Sequence, residues 1–395
     1  MLQVLYLVHD LCDPAVRRRV AMLRAGGASV TLAGFRRGAT VPVFNGPDLD
    51  GITPIDLGRT ADRAFAQRLA AVAHAALTLH SRLGKIARPD VIIGRNLEML
   101  ALANRARAAF GGDIPIVYEC LDIHRLLLDG GAVGKAMRGA ERLFSRNVAL
   151  LLTSSPAFVR NYFDTYGQIG APIVLLQNKV LELSGTPLAS KTAPLPRDGE
   201  PWRIGWFGAL RCAKSLALLC EFTRAMQGRF EVILRGRPAH VEFDDFDRLV
   251  AAEPHIRFAG AYRNPQDLAA IYGEVHFSWA IDFFEEGLNS SWLLPNRLYE
   301  GCRFGVVPIA MDGTETARFL TERGLGLRLA APSVEALAAL LAGMNADSYA
   351  TLRGGVMAQG PGTWVCRPAD CRRLVERLAG LSGHESASQL LEIAA

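Results

Sequence analysis

The sequence predicts an α/β protein built from two doubly wound, Rossmann-like halves. Three observations carry this. Apolar runs of strand length alternate with amphipathic helical segments through nearly the whole chain. One stretch without periodicity, Gly185 to Pro201, rich in proline and small polar residues, interrupts the alternation, and the same pattern then restarts. The length of 395 residues suits two domains of roughly 100–200 residues each. The expected layout is a first domain over 1–184, a linker at 185–201, a second domain over 202–365, and a C-terminal helical segment over 366–395 whose tail frays from Ser382.

Leu2 to Val8 is an unbroken apolar run, as expected of a strand buried on both faces of a parallel sheet. The loop from His9 to Pro14 leads into a helix from Ala15 to Ala25, with Val16, Val20 and Leu23 on one face. Gly26 and Gly27 end it, and Ser29 to Ala33 completes a βαβ unit. Thr60 is placed to cap a long alanine-rich helix running to Ile86. Strands are expected at Val91 to Ile93, Pro115 to Tyr118, Val148 to Leu152 and Ile173 to Leu176, with helices from Leu97 to Phe110 and from Pro156 through Tyr162. After the linker, strands at Arg203 to Phe207, Phe230 to Leu234, Ile256 to Ala259 and Val275 to Ala280 alternate with helices at Ser215 to Met226, Phe243 to Ala252 and Pro265 to Tyr272. Later elements are a helix ending at Arg323, a strand at Leu327 to Leu329, and helices at Ser333 to Met344 and Pro368 to Leu378.

Composition excludes several functions. Hydrophobic residues make up 50% of the chain and charged ones 21%, which is the balance of a globular protein. The net charge of +5 is mild, and no nucleic acid partner is expected. The seven cysteines are an odd, scattered set with no C-x-x-C, so reduced cytoplasmic thiols are expected, without a disulfide framework or a zinc site. The N-terminus enters a strand at once, without the marks of a signal peptide. No uncharged apolar run reaches the ~20 residues of a spanning helix. G-x-G-x-x-G is absent after the first strand and G-x-x-x-x-G-K-[ST] is absent, which argues against an NAD enzyme and a P-loop kinase or ATPase.

The richest stretch runs from Glu285 to Pro308, EEGLNSSWLLPNRLYEGCRFGVVP. A polar loop leads to Pro295, which suits a helix start, and Asn296 to Arg303 reads as a short helix stopped by Gly305. Val306 and Val307 then begin a buried strand. Asn289, Ser290 and Ser291 therefore lie just before a helix N-terminus, where backbone N–H groups and the dipole meet an anion such as phosphate. Glu300, one turn in, can accept two hydrogen bonds from a ribose diol. The plain alternative is a capped surface helix with a solvated Glu.

This stretch resembles the nucleotide-sugar site of glycosyltransferases with the GT-B fold, in the form P-x-(K/R)-(L/F)-(Y/F)-E-x-x-x-x-G-x-P. Pro295, Arg297, Leu298, Tyr299, Glu300 and Gly305 match; the last proline is displaced by one place, to Pro308. The segments VHDLCDPAVRRRVAMLRAGG, YECLDIHRL and GWFGALRCAKSL are similar to bacterial exopolysaccharide glycosyltransferases of the succinoglycan-synthesis type. The resemblance implies two Rossmann-like domains facing a central cleft, the first for acceptor and the second for donor. It implies transfer from UDP-glucose or a related UDP-sugar to a lipid-linked saccharide, by an enzyme in peripheral contact with the inner face of the cytoplasmic membrane. A sugar-nucleotide 2-epimerase of the same fold and a non-catalytic subunit are the alternatives.

In that frame Gly208, Leu210 and Lys214 match a Gly-x-Leu turn followed by a lysine on the diphosphate; Ala209 stands where an arginine is usual, and Arg211 is its substitute. Arg235 is expected to line the donor cleft, and Tyr262, after the Phe258–Gly260 turn, to lie where relatives seat the uracil ring, with a structural turn as the equal alternative. Related retaining enzymes carry two glutamates eight positions apart. The position eight before Glu300 is Trp292, with Glu286 as a stand-in on a longer loop, so the stereochemistry stays open. An inverting enzyme needs a base near the carboxyl end of a first-half strand. Asp122 is the first choice, with Glu119 and His124 as alternatives and Asp10 and Asp13 on the same cleft; a cap or loop anchor is the plain reading of each. Asp245-Phe246-Asp247 resembles a D-x-D metal motif but sits in a helical pattern, so no metal and no cofactor are expected. Arg17, Arg18, Arg19, Arg24, Arg36 and Arg37, with a helix carrying Arg68, Leu69, Val72, Leu77 and Leu79, suggest an acceptor or membrane face; a solvated surface is the alternative.

Overall fold

Every strand pairing among the described residues is parallel, as unbroken apolar strands joined by helices require. The computed structural model describes residues 1–44, 49–61, 65–184, 192–382 and 391–393. It divides into two units, Met1–Gln177 with Arg367–Ala395, and Asn178–Cys366.

The first unit holds an eight-stranded sheet, in the order Leu391–Ile393, Ile173–Leu176, Val148–Thr153, Ile116–Cys120, Val91–Arg95, Gln3–Val8, Ser29–Arg36, Ile55–Arg59. The chain starts in the strand Gln3–Val8, winds one way to Ile55–Arg59, then returns to the other side of its starting strand at Val91–Arg95. The switch point of this doubly wound sheet therefore lies between Gln3–Val8 and Val91–Arg95. The second unit repeats the plan with six strands, in the order Ile256–Phe258, Phe230–Pro238, Trp202–Leu210, Phe277–Trp279, Val307–Met311, Leu327–Leu329. Its switch point lies between Trp202–Leu210 and Phe277–Trp279. The helix Ala213–Ala225 covers this sheet with Leu216, Leu219 and Phe222, packed on Trp202, Ile204 and Phe230. Full burial of each such side chain is worth about 1.5–3 kcal/mol.

Four boundaries differ from the sequence-based expectation. The chain enters the second unit at Asn178, and Val180–Leu181 pairs there with Val365–Cys366. The expected linker lies partly outside the described residues, at 185–191. Its remaining residues belong to the second unit, where the Pro194 carbonyl lies 2.9 Å from His276 Nε2. The C-terminal helix Pro368–Ala379 belongs to the first unit, against the helix Pro14–Ala25. Gly26 permits this approach, since a Cβ there would run into the Cys371 carbonyl. The tail expected to fray lies mostly outside the described residues, and Leu391–Ile393 adds a strand beside Ile173–Leu176.

Candidate functional site

Open α/β sheets bind ligands at the carboxyl ends of their strands, at the switch point. In the second unit the two loops at that point are bound to each other by charge. Arg211 Nη2 lies 3.2 Å from Asp282 Oδ2, and Lys214 Nζ lies 2.6 Å from Glu286 Oε2. The same loops stack their cations on aromatic faces, Arg211 over Phe284 and Lys214 over Phe283. Cys212 Sγ accepts the Phe283 N–H at 3.4 Å, fixing the turn beneath. Gly208 is in the strand Trp202–Leu210, which runs on past the expected turn and pairs through to Pro238. The left-handed φ of 113° at Gly208, facing Gly236 at 136°, suits glycine only, and a Cβ on Gly236 would meet the Gly208 carbonyl.

The next loop in the chain is folded on itself. The Glu285 N–H donates to Ser290 Oγ at 3.0 Å, the Gly287 N–H to Ser291 Oγ at 2.8 Å, and Asn289 Nδ2 to Glu285 Oε2 at 3.1 Å. Asn289–Trp292 forms a single helical turn, and the helix Asn296–Arg303 starts from Pro295 with Asn296 exposed. Arg297, expected on the ligand side, is instead buried. Its Nη2 donates to the Ile281 carbonyl at 2.8 Å, bracing the switch-point loop from beneath, and its Nε is buried without a partner among the described residues. Glu300 is 5% exposed and held from two sides. Asn264 Nδ2 donates to Oε1 at 2.7 Å and the Tyr272 hydroxyl to Oε2 at 3.0 Å. Burial first, then the Glu300 charge, pushes the Tyr262 and Tyr272 hydroxyls up, so both are protonated at neutral pH. Tyr262 is half-buried beside Phe207. Arg235 is turned away from the switch point, to the Ala259 carbonyl and Glu274. Asp245 caps the helix Phe246–Ala251, accepting from the Arg248 N–H at 3.0 Å. Among the described residues no group of three or more His, Cys, Asp or Glu side chains is arranged to hold a metal ion.

In the first unit, Glu119 has no exposed surface. Arg19 Nε lies 2.6 Å away, Arg95 3.5 Å, and the Tyr6 hydroxyl donates to it. Burial works to raise its pKa, but Arg19, Arg95 and the hydrogen bonds outweigh it, so the carboxyl is held below its usual value. Glu119 is thus the anchor of a buried ion cluster and out of reach of a substrate. Asp13 caps the helix Pro14–Ala25 through the Ala15 N–H at 2.8 Å and pairs with Arg95 at 3.0 Å. Asp10 accepts the Cys12 N–H and pairs with Arg37 at 3.1 Å. Both are loop anchors. His124 caps the short helix Arg125–Leu128, its Nδ1 accepting the Leu126 N–H at 3.2 Å, and Asp122 is exposed two residues before it. The basic cluster is dispersed. Arg17 donates to the Val43 carbonyl and covers Phe44, Arg18 is half-buried, Arg19 is buried, and Arg36 pairs with Asp56.

The family description "Glycosyl transferase 4-like domain" matches residues 12–178. The succinoglycan biosynthesis protein ExoL of Rhizobium meliloti (strain 1021) is 60% identical over 384 residues, covering 97% of this chain and 94% of that protein. The chain belongs to the ExoL-like family of glycosyltransferases. Solved structures share its fold. Sucrose-phosphate synthase from Thermosynechococcus elongatus superposes with a TM-score of 0.63 at 14% identity, over 96% of each chain. Anabaena HepE in complex with UDP and glucose superposes with a TM-score of 0.63 at 14% identity, over 95% of this chain and 99% of that one. These likenesses confirm the GT-B fold, and the enzyme is a glycosyltransferase.

For this glycosyltransferase the sequence pointed to Lys214, Arg211, Glu286, the 289–291 loop and Glu300, and the fold places all of them on the second unit at or after its switch point. It missed Asp282, Asn264 and Tyr272. Asp282 comes soon after the strand Phe277–Trp279, a signal that strand order could have given. Asn264 and Tyr272 reach Glu300 only through the tertiary fold, 36 and 28 residues away in sequence.

Proposed function

We propose that the enzyme transfers a sugar, with inversion, from UDP-glucose or a related UDP-sugar to a lipid-linked saccharide in exopolysaccharide assembly. The observation that carries the donor reading is Glu300. Its two oxygens accept from Asn264 and Tyr272, which orients a buried carboxylate at the motif position expected to meet a ribose diol. Lys214 and Arg211, at the carboxyl ends of the central strands, offer the positive charge that a departing diphosphate needs. Lys214 is paired with Glu286, and a diphosphate would compete with that carboxylate for the cation. HepE, of the same fold, was solved with UDP and glucose, and ExoL is named for succinoglycan biosynthesis; both support the reading.

In this proposal Lys214, Arg211 and the helix N-terminus at Asn296 do the work of a divalent ion. Turnover should survive EDTA, and its loss with rescue by added Mn²⁺ would contradict the proposal. A lipid-linked acceptor places the enzyme in peripheral contact with the inner face of the cytoplasmic membrane. No helix of the described residues is long and apolar enough to cross a membrane, while Leu69 and Leu77 are exposed on the helix Phe65–Leu83. Epimerisation would call for several acids around the sugar, whereas Asp282, the acid nearest the end of the strand Phe277–Trp279, is paired with Arg211. A thermal-shift panel of UDP-, GDP- and dTDP-sugars tests the donor class. Stabilisation by UDP-sugars alone is expected; stabilisation by GDP- or dTDP-sugars instead would refute the assignment.

A further inference from the structure

Different helices cover the two faces of the first unit's sheet. Right-handed crossovers place Pro14–Ala25, on the connection from Gln3–Val8 towards Ile55–Arg59, on one face. Phe65–Leu83, Leu97–Ala109 and Ala132–Phe144 make the connections that run the other way, so they lie on the opposite face. Hydrogen bonds tie these three side by side. Arg105 Nε donates to the Ala76 carbonyl at 3.2 Å, and Asn104 Nδ2 donates to the Phe144 carbonyl at 2.8 Å. The arginine-rich first helix and the leucine-bearing Phe65–Leu83, which the sequence suggested as one face, are thus on opposite sides of the sheet.

The three-helix layer is apolar at its outermost positions. Leu69, Ala73 and Leu77 recur at helical spacing, and Leu77 is 78% exposed. On Ala132–Phe144 the matching row is Ala136, Gly139 and Leu143, with Leu143 50% exposed and Val133 beside the row. Cations frame these rows. Arg105, Lys135 and Arg142 are exposed on the helices, and Arg146 is exposed just beyond them. Acids are withdrawn. The three helices carry two, Glu98 and Glu141. Glu98 pairs with Arg68 at 3.2 Å. Glu141 has no exposed surface and faces inward to Tyr118, Tyr162 and Gln168. Asp129, just before Ala132–Phe144, accepts the Gly134 N–H at 3.3 Å. An ordinary water-facing layer mixes both signs of charge. Exposed leucines framed by Lys and Arg, with the carboxylates turned away, are the pattern of helices that lie in a lipid–water interface.

We propose that this layer, formed by Phe65–Leu83, Leu97–Ala109 and Ala132–Phe144, is the surface by which the enzyme docks on a bilayer rich in anionic lipid. The proposal rests on the lipid-linked acceptor of the reading above and names the face and the lipid class that meet. Lys135, Arg142 and Arg146 gain from anionic headgroups, while Leu69, Leu77 and Leu143 enter the boundary between headgroups and acyl chains. The opposite face offers charge alone. Every large apolar residue of Pro14–Ala25 and of Pro368–Ala379, which packs on it, is buried.

The test is flotation of the full chain with vesicles of phosphatidylcholine alone and of phosphatidylcholine mixed in equal parts with phosphatidylglycerol. The wild type should float with the mixed vesicles and not with the neutral ones, and added salt should weaken the binding. Lys135→Glu and Arg142→Glu should each lower the partition coefficient at least about fivefold, the equivalent of the roughly 1 kcal/mol that one cation gains beside anionic lipid. Leu77→Asp with Leu143→Asp should abolish flotation, while an unchanged thermal midpoint shows that the fold is kept. Arg24→Glu and Arg372→Glu, on the opposite face, should bind as the wild type does. Absence of wild-type binding to the mixed vesicles would overturn the proposal, and so would loss of binding in Arg24→Glu and Arg372→Glu alone. Binding that needs the cations but is indifferent to Leu77 and Leu143 would mean a soluble polyanion in place of a bilayer, and would also overturn it. Titration of UDP into the same proteins keeps the two readings apart. UDP binding without vesicle binding would leave the donor reading standing and this proposal refuted, and vesicle binding without UDP binding the reverse.

Discussion

Single residues show how burial changes the meaning of an acid or a histidine. Glu119 ends a strand where a base is wanted, but two arginines and a tyrosine hydroxyl enclose it, and removing it would strand buried positive charge. Asp13 is a cap, as its place just before a proline-led helix allowed. His276 is purely structural. It is fully buried, accepts the Arg203 N–H at Nδ1 and meets the Pro194 carbonyl at Nε2. Burial is the main cause that lowers its pKa from 6.5 to about 4. The folded pKa lies below the unfolded one, so the unfolded chain binds the extra proton first as pH falls. The stability His276 contributes is therefore complete above pH 6.5 and lost as pH drops towards 4, a loss on the order of 3 kcal/mol. Urea unfolding of the wild type should weaken across that window, and His276→Gln should flatten the decline; parallel curves would count against this account.

At the scale of elements, the buried parallel strands were readable because they are continuous apolar runs. Several other elements were not. Ile55–Arg59 is a short edge strand with Gly58 inside it, so neither length nor β-propensity marks it. Ala346–Met357 contains Gly354 and Gly355, which hide a helix whose start is fixed by the Asn345–Ser348 capping box. Ala132–Phe144 leaves Val133 and Leu143 exposed and buries the charged Glu141, which inverts the expected pattern. Glu141 is satisfied there by Tyr118, Tyr162 and Gln168, partners that only the fold supplies. The docking of Pro368–Ala379 on the first unit rests on Gly26. Gly26→Val should force that helix off the Cys371 carbonyl and cost about 1–3 kcal/mol, seen as a lower thermal midpoint. An unchanged midpoint would mean the contact bears little load.

For the whole molecule, the chain order of the strands decides more than any motif. The GLNSSWLLPNRLYEG stretch and the GALRCAKS turn with Lys214 and Arg211 each resembled part of a nucleotide-sugar site, and the strand order shows why the turn pairs with the Asp282 and Glu286 loop, at the switch point between Trp202–Leu210 and Phe277–Trp279. Sequence alone treated Arg235 and Arg297 as equals of Lys214. The fold turns Arg235 to Glu274 and buries Arg297 under Ile281, because strand twist and helix packing, rather than residue type, set where a long cation points. On the acceptor side, the sequence offered carboxylates, and the fold has already committed Glu119, Asp10 and Asp13 to caps and ion pairs.

The central claim is that the second unit holds a UDP-sugar through Glu300 and Lys214. Isothermal titration of UDP into the wild type, Glu300→Ala and Lys214→Ala tests it most directly. The account predicts measurable UDP binding by the wild type and a loss of about 1–3 kcal/mol in each variant, the scale of a hydrogen bond to a charged group, with EDTA making no difference. Equal UDP affinity in all three proteins would contradict it.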